Sequence, residues 1–131
     1  NNDCLIIIMI SIVKVFTFEA SHSLPNEAIY GKCARIHGHS YILKVEVGCD
    51  EQLLTDHMVM NFDELSKIVN SEIIDRFDHT HLNDTTGIEC PTAERLVLKF
   101  KTAIQGRLSP HISLIKLELN ETAKCSAKWT V

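Results

Sequence analysis

Ser40-Tyr41-Ile42-Leu43-Lys44-Val45-Glu46-Val47-Gly48 is the stretch from which the fold can be read. Tyr41, Leu43, Val45 and Val47 form one face of an alternating pattern, while Lys44 and Glu46 fall on the other. Successive side chains of a strand point to opposite faces, so a period of two predicts a strand with one buried face. His37, Gly38 and His39 stand just before it. Two residues apart, both imidazoles fall on the side that continues as Tyr41, Leu43 and Val45. Upstream, Ile12 to Ala20 is β-branched and aromatic and predicts another strand. His22 follows it in phase with Phe16, Phe18 and Ala20. The segment between, Leu24 to Ile36, carries Pro25 and Gly31 and reads as a loop.

Downstream of the polar connection Cys49 to His57, the period changes. Phe62, Leu65, Ile68, Val69, Ile73 and Phe77 recur at spacings of three and four, which predicts an amphipathic helix. Asn61 followed by Glu64 resembles a capping box at its start. Asp78 to Cys90 reads as a long polar loop. Pro91-Thr92 then opens a second helix with Ala93, Leu96, Val97, Phe100 and Ile104 on its apolar face and Gly106 at its end. Ile115, Leu117 and Leu119 alternate with polar residues, as do Cys125, Ala127, Trp129 and Val131, giving two further strands. The expected order is strand, strand, helix, helix, strand, strand. This is an α+β domain, an antiparallel four-stranded sheet with both helices on one face. So small a sheet leaves its edges open, and pairing between subunits would close them, so an oligomer is expected.

The chain has 131 residues, 45% of them hydrophobic and 23% charged, a balance that suits one globular domain across residues 1–131. The net charge of -4 argues against nucleic acid or an anionic membrane as the main partner, because both call for basic surfaces. Cys4 to Val13 is strongly apolar but only about half the ~20 residues of a membrane span. Residues 1–8 are expected to be an extension in front of the first strand. The five cysteines are odd in number and lack a Cys-x-x-Cys pair. Without a recognisable secretory signal, free thiols in a reducing cytoplasm are the economical expectation.

Three neutral imidazoles, His22, His37 and His39, converging from adjacent strand ends would make a three-histidine site. Zinc accepts such a set and keeps a fourth position open for water or substrate. A bare His-x-His pair is more often an ordinary surface or core feature; the third phased histidine tips the balance. Cys33, four residues before His37, is placed to be a reactive thiolate, since a nearby metal or cation lowers a thiol's pKa. The bland alternative, a small buried filler residue, is assigned to Cys4, Cys49, Cys90 and Cys125. Asp78 beside His79 can orient an imidazole, although a turn pair is an equal reading. Glu121 shares the phase of Leu117 and Leu119 and is expected to face inward as a ligand-binding carboxylate. Glu118 is expected to be solvated. Lys32 and Arg35 flank Cys33 and read first as a solvated loop face.

FEASHSLP, KCARIHGHSY, MVMNFDEL, FDHTHLND, PTAERL and NET, in this order, resemble the 6-pyruvoyltetrahydropterin synthase superfamily. The likeness is greatest to its 6-carboxytetrahydropterin synthase branch, which acts in queuosine biosynthesis, and it covers roughly Val13 to Trp129. The joint pattern is specific where no single piece would be. The resemblance implies a tunnelling fold (T-fold) assembled as a homohexamer, and zinc on His22, His37 and His39. It implies Cys33 as base, with Asp78 and His79 completing a relay, in part from a neighbouring subunit. It implies Glu121 as the anchor for a pterin's amino-pyrimidine edge, assisted around Thr92 and Glu94. The implied substrate is 7,8-dihydroneopterin triphosphate, and the implied reaction is a zinc-dependent carbon–carbon lyase step giving 6-carboxytetrahydropterin, acetaldehyde and triphosphate. A 6-pyruvoyl-forming synthase and a non-catalytic zinc-and-pterin binding module are the alternatives. Asn61, Trp129 and Cys90 depart from residues usual in the family, and none of the three removes a catalytic group.

Overall fold

β1 (Met9–His22) and β2 (His37–Asp50) pair antiparallel along their whole length, with Met9 opposite Asp50 and His22 opposite His37. The computed structural model describes residues 9–131. The expected extension at residues 1–8 and the reading of Cys4 lie outside the described residues. Both strands run two or three residues beyond the alternating patterns, so His22, His37 and His39 belong to the ladder itself.

After β1 come α1 (Glu27–Tyr30) and a 3-10 turn at Gly31–Ala34, within the expected loop. After β2 the first amphipathic pattern folds as α2 (Phe62–Val69), a π-helical turn (Asn70–Ile74) and α3 (Asp75–Phe77). Two consecutive spacings of four, Val69 to Ile73 to Phe77, drift ahead of a 3.6-residue period. The wider π turn absorbs the drift and keeps all three buried. Phe62 is half exposed and does not join that face, contrary to the pattern. Asn61 caps α2 by accepting from Asp63 N at 2.8 Å, and the return bond expected of Glu64 is not made. β3 (Thr80–His81) and α4 (Leu82–Thr86) follow, then α5 (Ala93–Gln105), β4 (Ser113–Thr122) and β5 (Cys125–Thr130).

The sheet has the order β3-β1-β2-β4-β5. The α+β class is as expected, but the sheet is five-stranded and mixed rather than four-stranded and antiparallel. β3 adds to β1 in parallel, Ala20 beside Thr80 and Ser21 beside His81. Two residues are too few to carry an alternating pattern, which is why the segment reads as loop.

Phe16, Phe18, Tyr41, Leu43, Val45, Leu117 and Leu119 cover one sheet face and pack under Leu65, Ile73, Leu96, Phe100 and Ile104 of the helices. Phe18 stacks on Tyr41 with centroids 4.9 Å apart and meets the edge of Phe100 at 6.1 Å. β5 is an edge strand, covered by α5 from one side and open to solvent along its outer edge among the described residues. Its expected inner face is therefore only half-buried at Ala127 and Trp129, and Cys125 and Val131 are exposed rather than buried. Cys49 is fully buried, as expected of a filler residue. Among the described residues no helix is long and apolar enough to cross a membrane.

Candidate active site

The β1–β2 register decides the site. His22 pairs with His37 and Ala20 with His39, so the last residues of β1 and the first of β2 bring the three imidazoles onto the helix-covered face. One ring nitrogen from each of His22, His37 and His39 lies within 4.8 Å of the other two. His22 Nε2 is 3.0 Å from His37 Nε2 and 3.1 Å from His39 Nε2. The opposite ring atoms are held by backbone: His22 Nδ1 by Pro91 O at 2.8 Å, His37 Nδ1 by Arg35 O at 2.7 Å. A carbonyl only accepts, so each of these Nδ1 atoms carries the proton and each Nε2 presents its lone pair to the centre.

Burial lowers the pKa of His22, with His37 and His39 adding to the effect and the Pro91 carbonyl and Glu121 opposing it. Burial likewise lowers that of His39, against the pull of Glu121. Neutral rings with lone pairs facing inward repel one another unless a cation lies between them. The donor set fits zinc: bonds of about 2.0–2.1 Å to tetrahedral nitrogens put those nitrogens roughly 3.3 Å apart.

Glu121 reaches the same centre. Asn120 pairs with Ser126 and Thr122 with Cys125, so Glu121 is the extra residue of a β-bulge. Bulges re-aim a side chain, and here Glu121 Oε2 lies 3.9 Å from His39 Nε2. Glu118 is on the outer face as expected but is not simply solvated. Its carboxylate accepts from Ser126 Oγ at 2.9 Å and faces Lys44 and Lys128 at 3.9 and 4.0 Å. The Ser126 hydroxyl, first, holds its pKa below the usual carboxylate range.

Asp78 and His79 lie at the far edge of β1. Asp78 Oδ1 accepts from Glu19 N at 2.9 Å, and the His79 amide donates to Glu19 O. His79 has φ 60, and that left-handed backbone turns its ring onto its own neighbour, Nδ1 to Asp78 Oδ2 at 2.9 Å. The Glu19 amide and His79 together lower the pKa of Asp78. A cavity of about 520 Å³ lined by Glu19, Ser21, His39, Ser40, His79 and His81 opens on the sheet face from which Glu19, Ser21 and Ser40 project, out of phase with the three imidazoles.

Cys33 sits half-buried in the 3-10 turn, its carbonyl accepting from Leu24 N at 2.9 Å. Its sulfur is not among the atoms that converge with the histidines. Lys32 and Arg35 are exposed. Thr92 caps α5, accepting from Arg95 N at 3.2 Å, one residue after the Pro91 carbonyl that holds His22. Glu94 points elsewhere, into a cleft between α5 and β5 with Lys128 and Trp129.

Two supports had no signal in the sequence pattern. Asn83 clasps Ser23, accepting from its amide at 2.9 Å and donating to its carbonyl at 2.8 Å, which ties α4 to the chain just past His22. Ser21 Oγ and His81 Nδ1 are 2.9 Å apart across the β1–β3 pair.

Comparison with known proteins shows the family. The family model for 6-pyruvoyl tetrahydropterin synthase matches residues 11–130. The chain is 35% identical to the 6-carboxy-5,6,7,8-tetrahydropterin synthase of Synechocystis sp., over 90% of this chain and 91% of that one. It is 29% identical to the protein of the same name from Aquifex aeolicus, over 90% and 96%. Among solved structures, 6-pyruvoyl tetrahydropterin synthase of Caenorhabditis elegans superposes with a TM-score of 0.82 at 23% identity, over 98% of this chain and 99% of that one, which bears on the fold alone.

Proposed function

The chain belongs to the 6-pyruvoyl tetrahydropterin synthase family, and from that premise we propose that it is a zinc-dependent 6-carboxytetrahydropterin synthase. It converts 7,8-dihydroneopterin triphosphate to 6-carboxytetrahydropterin, acetaldehyde and triphosphate, as a cytoplasmic homohexamer in queuosine biosynthesis. The observation that carries the reading is the convergence of three histidine Nε2 atoms, with the outer nitrogens of His22 and His37 tied to carbonyls. The names of the full-length relatives and the short Cys33-to-His37 spacing favour the carboxy-forming reaction.

His22, His37 and His39 hold the metal. Bound there, zinc supplies Lewis acidity that steadies the negative charge developing as a carbon-bound proton leaves. Cys33, as thiolate, takes that proton. His79, held by Asp78 and exposed enough to exchange with water, carries protons between the ligand and solvent, the relay being completed in part from a neighbouring subunit. Glu121 accepts two hydrogen bonds from the amino-pyrimidine edge and sets the ring's orientation, with Thr92 assisting. Triphosphate leaves by elimination, and cleavage of the side chain follows. A short link between Cys33 and His37 limits how far the thiolate stands from the histidines, which decides the proton within reach.

The test is incubation of the pure, zinc-loaded protein with 7,8-dihydroneopterin triphosphate and identification of products by mass. One acetaldehyde per turnover is expected. 6-Pyruvoyltetrahydropterin as main product, without acetaldehyde, would replace this reaction with elimination alone; pterin binding without turnover would make the chain a binding module.

A further inference from the structure

Ser23 stands one residue past the end of β1, outside the ladder with β2, so its half-buried backbone needs partners from elsewhere. It finds both on one side chain. The Asn83 carboxamide oxygen accepts from the Ser23 amide at 2.9 Å, and its nitrogen donates to the Ser23 carbonyl at 2.8 Å. The same nitrogen also donates to the Glu89 carbonyl at 3.0 Å. These partners fix the orientation of the amide: turned over, its nitrogen would face an N–H and its oxygen two carbonyls.

Both segments that Asn83 holds lead to one imidazole. Ser23 adjoins His22, a ring only 1% exposed. Glu89 stands two residues before Pro91, whose carbonyl is 2.8 Å from His22 Nδ1. The carboxamide thus ties the backbone that carries His22 to the loop that aims its ring. His37 needs no such tie, because its outer nitrogen is held from within its own segment, by Arg35 O. His22 is aimed by a carbonyl 69 positions away in the chain. Asn83 itself has a firm base: Leu82 beside it is fully buried, and β3 just before it pairs with Ala20 and Ser21.

We propose that Asn83 is a positioning residue of the metal site: its carboxamide clamps Ser23 to the Glu89–Pro91 loop and so holds His22 aimed at the metal position before any ion arrives. The inference rests on the metal reading above. A ligand ordered in advance binds without a further loss of freedom, whereas a loosened one must be ordered at the expense of affinity. Supports of this kind behind a metal ligand typically contribute about 10–100-fold in metal affinity.

The experiment compares metal-free wild type with Asn83→Asp, which keeps the size of the side chain and its acceptor for Ser23 but sets oxygen against two carbonyls. Gly48→Ala, crowded against Ile10 O at the other end of β1, is the control for lost stability alone. Urea titrations define conditions in which all three proteins are folded. There the zinc Kd is measured by competition with a chromophoric chelator, and the visible absorption of each protein is recorded after loading with cobalt(II). Asn83→Asp is expected to bind zinc about tenfold more weakly, with cobalt bands of reduced intensity. Gly48→Ala is expected to match wild type in both, although it is less stable. Wild-type zinc affinity in Asn83→Asp, whatever its stability, overturns the proposal. So does an equal weakening in Gly48→Ala, since the effect would then follow stability and not position. If Asn83→Asp does not fold, Asn83→Gln, which displaces the same carboxamide by one methylene, takes its place and the same outcomes decide. Failure of the wild type to take up zinc sinks the metal reading itself, and this inference with it.

Discussion

The imidazoles of His22, His37 and His39 act as a unit because each is aimed by something other than its neighbours: a carbonyl behind two of them and, edge-on to His22 and His39, the ring of Tyr41. Replacing any one with alanine leaves two ligands, too few for an open zinc site. Each variant is expected to lose metal and turnover together, and metal near one per chain in all three would refute the ligand set. Cys33→Ala is expected to keep zinc and fold while turnover drops at least about a hundredfold, the contribution of a positioned base; Cys125→Ala, exposed at the edge strand, is the control and stays active. Turnover of Cys33→Ala within a few-fold of wild type would remove the thiolate from the mechanism. Burial depresses the pKa values of His22 and His39 below 6.5, their value in an unfolded chain. The unfolded chain then binds protons that the folded one refuses, so metal-free stability is complete above that value and lost as pH falls toward the folded pKa values. Urea midpoints at about pH 7.5 and about pH 5 should differ in that direction, and a flat profile would contradict it.

At the scale of elements, one local device holds the site in place and another holds the far end of the sheet. Thr92 caps α5 one residue past the carbonyl that fixes His22. Thr92→Ala is expected to cost about 1 kcal/mol in a denaturant titration, the usual worth of an N-cap side chain; no loss would show the cap to be idle. Gly48 lies beside the irregularity of the β2–β4 ladder at Glu46/Val47. A Cβ there would collide with Ile115 Cδ1 and come within 2.6 Å of Ile10 O, a backbone atom that cannot step aside. Gly48→Ala is expected to destabilise by roughly 1–3 kcal/mol, read as a lowered thermal midpoint with the histidine site unchanged. The helices and long strands were legible because their periods run for many residues. β3, two residues long, and the bulge at Glu121 were not, since neither repeats anything.

For the whole molecule, the sheet ends in β5 on one side, while on the other β3 covers only the last residues of β1. Val13 and Val15 of β1 are about half exposed, an apolar stretch on a strand that, among the described residues, is left open along most of its edge. Unpaired edges of this kind invite another chain, and a ring of copies would satisfy both. Light scattering is expected to give a particle of six chains; a monomer at working concentration would reject the assembly. The sequence by itself determined the α+β class, the two central strands, the buried faces of both helical patterns and the three histidines. These follow from periodicity and from phase, which a linear string carries. Only the tertiary structure decided how those residues meet. The pairing of His22 with His37, the grip of Pro91 on an imidazole nearly seventy positions away, the clasp of Asn83 on Ser23 and the turn of Glu121 toward His39 depend on register and on a bulge. Such contacts join residues far apart in the chain, and no local pattern encodes which strand end will lie beside which loop.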